Sequence, residues 1–397
     1  QTSGWVDAWQ SRPSVYAVEA RTVADIAAAI NFARHHKLRL VVKGGGHSYQ
    51  GASNAPDSLL VWTRHMNRVE VHDAFVPDGC EHIAAPQPAV TLDAGALWVH
   101  AYDVVTTRGG RYVQGGGCLT VGVSGLIQSG GFGSLSKHYG LAAASLLEAE
   151  VVTADGQVRV TNPCNHPDLF WALKGGGGGT FGVVSKVTLK THALVEYIGI
   201  VNITFKAKSA AAYQRLVREF IDFYQARLFN DRWGEQVRFG PNNSITASLL
   251  AYGLDGTAAR EVWQPFLDRV DSVREYSTAG VTTFGTVPAR HFWDLSWWQQ
   301  HWSEVVFPTH GSRLIQLFDD VLSSLPYQPL FAIDPRSGAG WWKGDGDQTG
   351  QYLWAYESLW LPASLLDPEN RQHLADALYA SSRISEVALH FNKGLAG

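Results

Sequence analysis

Three dense glycine runs lie in the first half of the chain, and nothing else in the sequence limits the fold as strongly. They are Lys43-Gly44-Gly45-Gly46-His47-Ser48-Tyr49; Gly115-Gly116-Gly117-Cys118 with its continuation through Gly122, Gly125, Gly130, Gly131 and Gly133; and Gly175 to Gly179, followed by Thr180-Phe181-Gly182-Val183-Val184. Consecutive glycines bare their backbone N–H groups, accept positive φ and let a main chain approach a phosphate closely. One such run alone reads as a flexible turn. Three together, two of them bearing a nucleophilic side chain, read as a pyrophosphate cradle. The G-x-G-x-x-G dinucleotide fingerprint fails at the first run, because the third glycine position is Tyr49 and no helical pattern opens there. A Rossmann nicotinamide site is thereby disfavoured.

The runs are set in alternating elements. Thr22 and Asp25 form a capping box ahead of a helix with the apolar stripe Val23, Ile26, Ile30 and Ala33. Leu38 to Val42 reads as a short buried strand that empties into the first run. Strands follow at Leu59 to Trp62, Val69 to His72 and Val90 to Ala94, then a helix from Trp98 to Thr107. Glu150 to Val160 reads as a hairpin turning at Asp155-Gly156, Pro167 to Leu173 as a short helix, and Val183 to Lys190 as an alternating strand. Beyond Leu194 the glycine runs stop. Strand, helix (Ala210 to Arg227), strand (Ser244 to Tyr252) and helix (Ala258 to Val270) follow, which predicts two domains, 1–194 and 195–397.

The 397 residues allow two to three domains at ~150 residues each. With 36 acidic and 32 basic side chains the formal charge is −4, which argues against a partner made of nucleic acid. No stretch reaches the ~18 apolar residues of a membrane span. No metal site is expected, since the His35-His36 pair sits at a helix end with no partner motif. The 3 cysteines cannot close a disulfide framework, so at least one thiol is left for other use; Cys80 and Cys164 are able to pair. The chain opens at Gln1 and carries Asn-x-Ser/Thr patterns at Asn202 to Thr204 and Asn242 to Ser244, from which an exported, mature protein, secreted or periplasmic, is expected.

Residues 15 to 192 closely resemble the berberine-bridge-enzyme-like flavoproteins of the vanillyl-alcohol-oxidase (VAO) fold. The resemblance rests on Gly44-Gly45-Gly46-His47-Ser48-Tyr49, on Gly116-Gly117-Cys118-Leu119-Thr120-Val121-Gly122-Val123, and on Ser129-Gly130-Gly131-Phe132-Gly133-Ser134-Leu135 with Tyr139-Gly140-Leu141-Ala142. Asp168 to Lys174 and the Gly175 to Val184 run, with Gly182 and Val183, complete it. It implies an α+β fold: a PCMH/VAO-type FAD-binding domain, and a substrate domain with a large antiparallel sheet flanked by helices. It also implies a bicovalent FAD, bonded through His47 to the flavin 8α-methyl carbon and through Cys118 to C6. An imidazole nitrogen and a thiolate are side chains able to add to an electrophilic ring carbon. In the family the residue three after the cysteine gates oxygen; here it is Val121, which implies an oxidase that yields hydrogen peroxide.

Flavin chemistry takes hydride at N5, and the protein must supply a base about 3 Å from the substrate hydroxyl. The resemblance puts that base on the second domain. Phe331-Ala332-Ile333-Asp334 is similar to the strand that supplies an aspartate in oligosaccharide-oxidising relatives. Gln351 to Trp360 reads as a strand with Tyr352, Trp354, Tyr356 and Ser358 on one face and Glu357 on the other. Alternation does not say which face meets the flavin, so Tyr356 and Glu357 are both candidates, against the plainer roles of core tyrosine and ion-paired edge residue. His390-Phe391-Asn392-Lys393 resembles the family's Tyr-x-Asn-Tyr segment with histidine and lysine in place of the tyrosines, which leaves His390, Lys393, Asp334, Tyr356 or Glu357 as the base. The family's closing tyrosine-rich segment does not appear before Gly397.

Trp297, Trp298, Trp302, Trp341 and Trp342 either fill a core or stack on sugar rings, and core packing is the commoner fate. The expected function is an FAD-dependent oxidase acting on an alcohol or carbohydrate, with a small-molecule substrate and O₂ as partners. The competing expectations are a flavin dehydrogenase with another acceptor, and a colourless carbohydrate-binding protein.

Overall fold

The computed structural model describes residues 12–48, 51–306, 331–333, 340–342 and 359–391. Contacts divide the chain into two compact units: Gln1–Gly133 with Gly140–Leu194 and Leu330–Ser358, and Ser134–Tyr139 with Val195–Pro329 and Leu359–Gly397.

The first unit opens with β1 (Tyr16–Glu19), α1 (Val23–His36), β2 (Arg39–Lys43) and β3 (Ser58–Trp62). The capping box forms as the sequence predicts: the Thr22 hydroxyl accepts the Asp25 N–H at 3.3 Å and the Asp25 carboxylate accepts the Thr22 N–H at 2.9 Å. Those bonds to the Arg21 and Thr22 backbone and to the Thr22 hydroxyl hold the Asp25 carboxyl below its usual range. α1 buries Ile26, Ala29, Ile30 and Ala33, the 3.6-residue stripe. A small parallel sheet in the order β1-β3-β2 directs β2 into the first glycine run.

The larger sheet of this unit is antiparallel. It comprises β4 (Val69–Phe75), β5 (Gln87–Asp93), β6 (Arg111–Val113), β7 (Leu146–Val152), β8 (Val158–Thr161) and β9 (Val183–Ala193), in the order β4-β5-β9-β7-β8 with β6 also on β9. β7 and β8 form the hairpin expected around Asp155-Gly156. β9, the strand leaving the third glycine run, lies centrally and is buried at Val183, Val184, Val187 and Leu189. Between these strands run α2 (Trp98–Tyr102), which continues as a wider turn over Asp103–Arg108, α3 (Val123–Gln128) and α5 (Pro167–Leu173). Cys80 and Cys164 form a disulfide.

The second unit contains α4 (Ser136–Tyr139), β10 (Tyr197–Ala207), α6 (Ala210–Phe223), β11 (Trp233–Gly240), β12 (Ser244–Tyr252), α7 (Gly256–Ser272), β13 (Tyr276–Pro288), α8 (Leu295–Val306), α9 (Arg371–Ser382) and β16 (Val387–His390). β14 (Phe331–Ile333) and β15 (Gly340–Trp342) pair as a hairpin in the first unit. The five-stranded antiparallel sheet runs β13-β10-β12-β11-β16. Its alternation is clean: Val201, Ile203, Phe205, Val237, Phe239 and Ala247 enter a core closed by Leu216 and Phe220 of α6, Trp263 and Phe266 of α7 and Leu378 of α9. Each such aromatic or aliphatic burial contributes about 1.5–3 kcal/mol. The other face is polar, with Ser248 donating to Asn202 at 3.2 Å and Thr204 beside Thr246 at 3.1 Å.

Candidate functional site

The first two glycine runs meet. A Cβ placed on Gly45 would fall 2.5 Å from the Gly122 nitrogen and 2.9 Å from the Thr120 carbonyl oxygen, and one on Gly122 would fall 2.8 Å from the Gly45 nitrogen. Only two residues without side chains pack backbone against backbone this closely. This contact brings the residues after each run together: His47 Nε2 lies 2.9 Å from Thr120 Oγ1, and Cys118 Sγ lies 3.9 Å from the same oxygen. One hydroxyl thus reaches both residues expected to carry the attachment. The two cannot be further apart than those distances laid end to end. Gly46, His47 and Ser48 are exposed, and Cys118 and Val121 are half-buried, so the cluster stands at an accessible rim.

A rigid frame supports the second run. The Trp98 N–H donates to the Val121 carbonyl at 3.1 Å, the Val99 N–H to Leu119 at 3.0 Å, and the Val123 N–H to Ala96 at 3.0 Å. The Tyr102 hydroxyl donates to the Gly116 carbonyl at 2.7 Å, and its complete burial drives its acidity well below that of an ordinary tyrosine. Gly115 lies against the Trp98 ring, where a Cβ would come within 2.2 Å, and Gly133 lies against the Gly115 carbonyl oxygen, within 1.7 Å. Burial, followed by the nearby Arg64 guanidinium, holds the His100 imidazole toward its neutral form.

The remaining expected cofactor residues border this frame. Gly125 lies on α3, which starts directly after Gly122. Gly131 accepts the Ala142 N–H at 2.7 Å, beside exposed Leu141. The third run reaches the same neighbourhood through the Gly177 N–H, which donates to the Gln128 carbonyl at 2.8 Å. Gly182 has φ +145°, and a Cβ there would meet the Val152 carbonyl oxygen at 2.7 Å, so only glycine admits β9 to the sheet at Val183. The structure therefore assembles Gly44, Gly45, Gly46, His47, Ser48, Gly117, Cys118, Val121 and Gly122 with the helix and loops that follow them.

The fit to FAD is tested by what these loops leave open. They form a cradle of bare main chain, and on α3 the buried Ser124 Oγ and Gln128 Oε1 have no hydrogen-bond partner among the described residues. Buried polar atoms of that kind require a partner. A ligand rich in acceptors and hydroxyls, such as a dinucleotide, fits them.

The sequence motif assigns Thr120 no role. Its place two residues after Cys118 is the one signal in the sequence that puts its hydroxyl near the attachment residues. The catalytic candidates Asp334, Tyr356, Glu357 and Lys393 lie outside the described residues. His390 is the last residue of β16, half-buried and paired with Gln236. Trp297 stacks with His291 at 5.7 Å and with His301 at 4.6 Å between ring centroids, and Trp298 is buried with its Nε1 donating to the Phe292 carbonyl at 2.7 Å. These two tryptophans pack rather than offer a stacking face. Among the described residues no group of His, Cys, Asp and Glu is placed to hold a metal, and no helix is long and apolar enough to cross a membrane.

This first unit, with its parallel and antiparallel sheets joined by glycine loops, is an FAD-binding domain of the PCMH/VAO type. The FAD binding domain family (FAD_binding_4) matches residues 14–162. The VAO-type flavoprotein oxidase VAO615 of Thermothelomyces thermophilus is 34% identical over 335 residues, covering 80% of this chain and 54% of that protein. The FAD-linked oxidoreductase easE of Arthroderma benhamiae is 36% identical over 270 residues, covering 66% of this chain and 53% of that protein. Among solved structures, the VAO-type flavoprotein MtVAO615 from Myceliophthora thermophila C1 superposes with a TM-score of 0.66 at 27% identity, covering 93% of this chain and 58% of that one. The glucooligosaccharide oxidase of Acremonium strictum, described with a 6-S-cysteinyl, 8α-N1-histidyl FAD, shares the fold at a TM-score of 0.55 and 23% identity, over 68% of this chain and 54% of that one. The chain spans about half the length of the curated relatives it matches. Residues 14–162 thus carry an FAD-binding domain, and the chain is homologous to VAO-type flavoproteins.

Proposed function

We propose that this chain is part of an FAD-dependent oxidase that holds its flavin through both His47 and Cys118 and oxidises the CH–OH group of an alcohol or carbohydrate. The observation that carries this reading is the convergence of His47 Nε2 and Cys118 Sγ on the one Thr120 hydroxyl. The 8α-methyl and C6 positions both belong to the benzenoid ring of the isoalloxazine, so two tethers to it must start within one ring's width of each other. The flavin, when bound, supplies the hydride acceptor, and O₂ the final oxidant that becomes hydrogen peroxide.

The chain's own residues have three tasks. The Gly44–Gly46, Gly115–Gly122 and Gly175–Gly182 backbones would hold the dinucleotide. Thr120 orients His47, and Val121 sets the space beside the attached cysteine. A base among His390, Asp334, Tyr356, Glu357 and Lys393 accepts the substrate hydroxyl proton. A carbohydrate substrate is supported by the shared fold with the glucooligosaccharide oxidase. Export is supported by the Cys80–Cys164 disulfide, which suits an oxidising compartment.

The test is the colour of the purified protein after acid denaturation, in wild type, His47→Ala and Cys118→Ala. Bicovalent attachment expects a yellow polypeptide, with a changed attachment in each variant; unchanged attachment in both sinks it. A peroxide-coupled screen of sugars and alcohols finds the substrate, and absence of O₂ uptake with a good substrate sinks the oxidase assignment.

A further inference from the structure

Six residues, Ser134–Tyr139, lie in sequence between Gly133 and Gly140 of the glycine-rich loops, yet they belong to the second unit. The excursion is closed at its base within the first unit, where the Ala142 N–H donates to Gly131 at 2.7 Å and the Ala143 N–H to Gly130 at 3.1 Å. Its tip is α4, a single helical turn too short to be stable by itself.

Successive side chains of that tip each find a separate hold in the second unit. Lys137 Nζ lies 5.1 Å from the ring centroid of Phe229, 5.7 Å from Tyr224 and 5.9 Å from Phe391, and the atom is buried without a hydrogen-bond acceptor among the described residues. His138 Nδ1 lies 2.7 Å from the Asp231 carboxylate. The Tyr139 and Tyr252 hydroxyls hydrogen-bond to each other. Ahead of the helix, Ser134 hydrogen-bonds the Glu235 carboxyl, and the Ser134 carbonyl oxygen sits 2.0 Å from where a Cβ on Gly234 would stand. Glu235 takes the left-handed φ of 70° within β11. Burying an ammonium without an acceptor and twisting a non-glycine residue inside a strand are both costly, and such strain persists where the surroundings over-determine it.

We propose that Ser134–Tyr139 is a positioning segment for the flavin: the holds made by Lys137, His138 and Tyr139 fix the course of the loop between Gly131 and Leu141. The proposal rests on the flavin reading of those loops. The Ala142 and Ala143 N–H bonds join the two ends of the excursion, so freeing the tip loosens them and alters the surroundings of the flavin.

The experiment uses the purified holoprotein and compares wild type, the double variant His138→Ala/Tyr139→Phe, and Arg218→Ala, which breaks the Arg218–Asp376 ion pair of 2.8 Å elsewhere in the second unit. Amide hydrogen exchange is read at Ala142 and Ala143, and circular dichroism in the flavin's visible bands. The double variant is expected to exchange about tenfold faster at both amides, the factor of a modest lost coupling, with altered flavin dichroism. Arg218→Ala is expected to match wild type in both. Wild-type exchange and dichroism in a folded double variant overturn the proposal. Should the double variant fail to fold, Tyr139→Phe alone, which removes one hydroxyl, is read the same way. A colourless wild type defeats the flavin reading, while a yellow wild type with unmoved exchange in the variant defeats this proposal alone.

Discussion

Gly45 and Gly122 touch main chain to main chain, a Cβ on either falling within 3 Å of the other's backbone nitrogen. A methyl group on Gly45 has no flexible side chain to push aside. Gly45→Ala is expected to cost about 1–3 kcal/mol in stability and to lower flavin per polypeptide, read from the ratio of visible to ultraviolet absorbance. Gly178→Ala, where no heavy atom lies within 4 Å of the added carbon, is expected to leave stability nearly unchanged.

Thr120→Val keeps the shape of the side chain and removes the hydroxyl shared by His47 and Cys118. A hydrogen bond of this kind contributes about 1 kcal/mol, so the fold is expected to persist. The histidyl attachment is expected to slow, with a larger acid-extractable flavin fraction than in wild type. An unchanged extractable fraction would show that His47 is oriented without Thr120.

The Cys80–Cys164 bond closes a loop of 84 residues in separation. Crosslinks of this length typically contribute about 2–5 kcal/mol, chiefly by restricting the unfolded chain. Cys80→Ser is expected to lower the melting temperature by roughly 5–15 °C. Wild type in reductant should shift likewise, whereas Cys80→Ser itself should be insensitive to reductant. The network of Asn162, which donates to the Asp78 carbonyl and the Glu148 carboxylate at 3.0 Å each, limits the damage by holding the same loops.

Lys137 gives the molecule a measurable pH response. Burial lowers its pKa from the usual value to about 8, with Asp231 opposing the shift. A base whose folded pKa is depressed binds fewer protons folded than unfolded between the two values. Its penalty is therefore complete below pH 8 and is relieved as pH rises toward the ordinary lysine range. Stability is expected to increase across that interval by at most about 1.4 kcal/mol per pH unit relative to Lys137→Met, which lacks the response. Denaturant midpoints of the two proteins at pH 7 and pH 9.5 check it.

Much of the first unit was legible in sequence because its signals are local. Thr22 with Asp25 announces the start of α1, Asp155-Gly156 the β7–β8 hairpin, and Pro167 the start of α5. The glycine runs mark the candidate site for the same reason, since a main-chain cradle is written as missing side chains. What escaped was decided by partners distant in the chain. β11 escapes a period-2 reading because Gly234 and Glu235 interrupt its alternation, and both meet Ser134, far upstream. Thr120 carried no visible role because the residue it faces, His47, arrives through a separate loop. The tryptophan cluster reads equally as packing or binding in sequence, because the stacking of His291 and His301 on Trp297 is decided by the fold.

The Gly45–Gly122 contact joins two segments that must each be in place before either can serve. The parallel sheet delivers one and the α2–α3 frame the other, so the surface that accepts the dinucleotide does not exist in a partly folded chain. Cofactor loading then becomes a proofreading step for the protein itself: a mature yellow molecule certifies that two remote stretches of chain have found each other, and colour can be used to count correctly folded molecules in a mixed preparation.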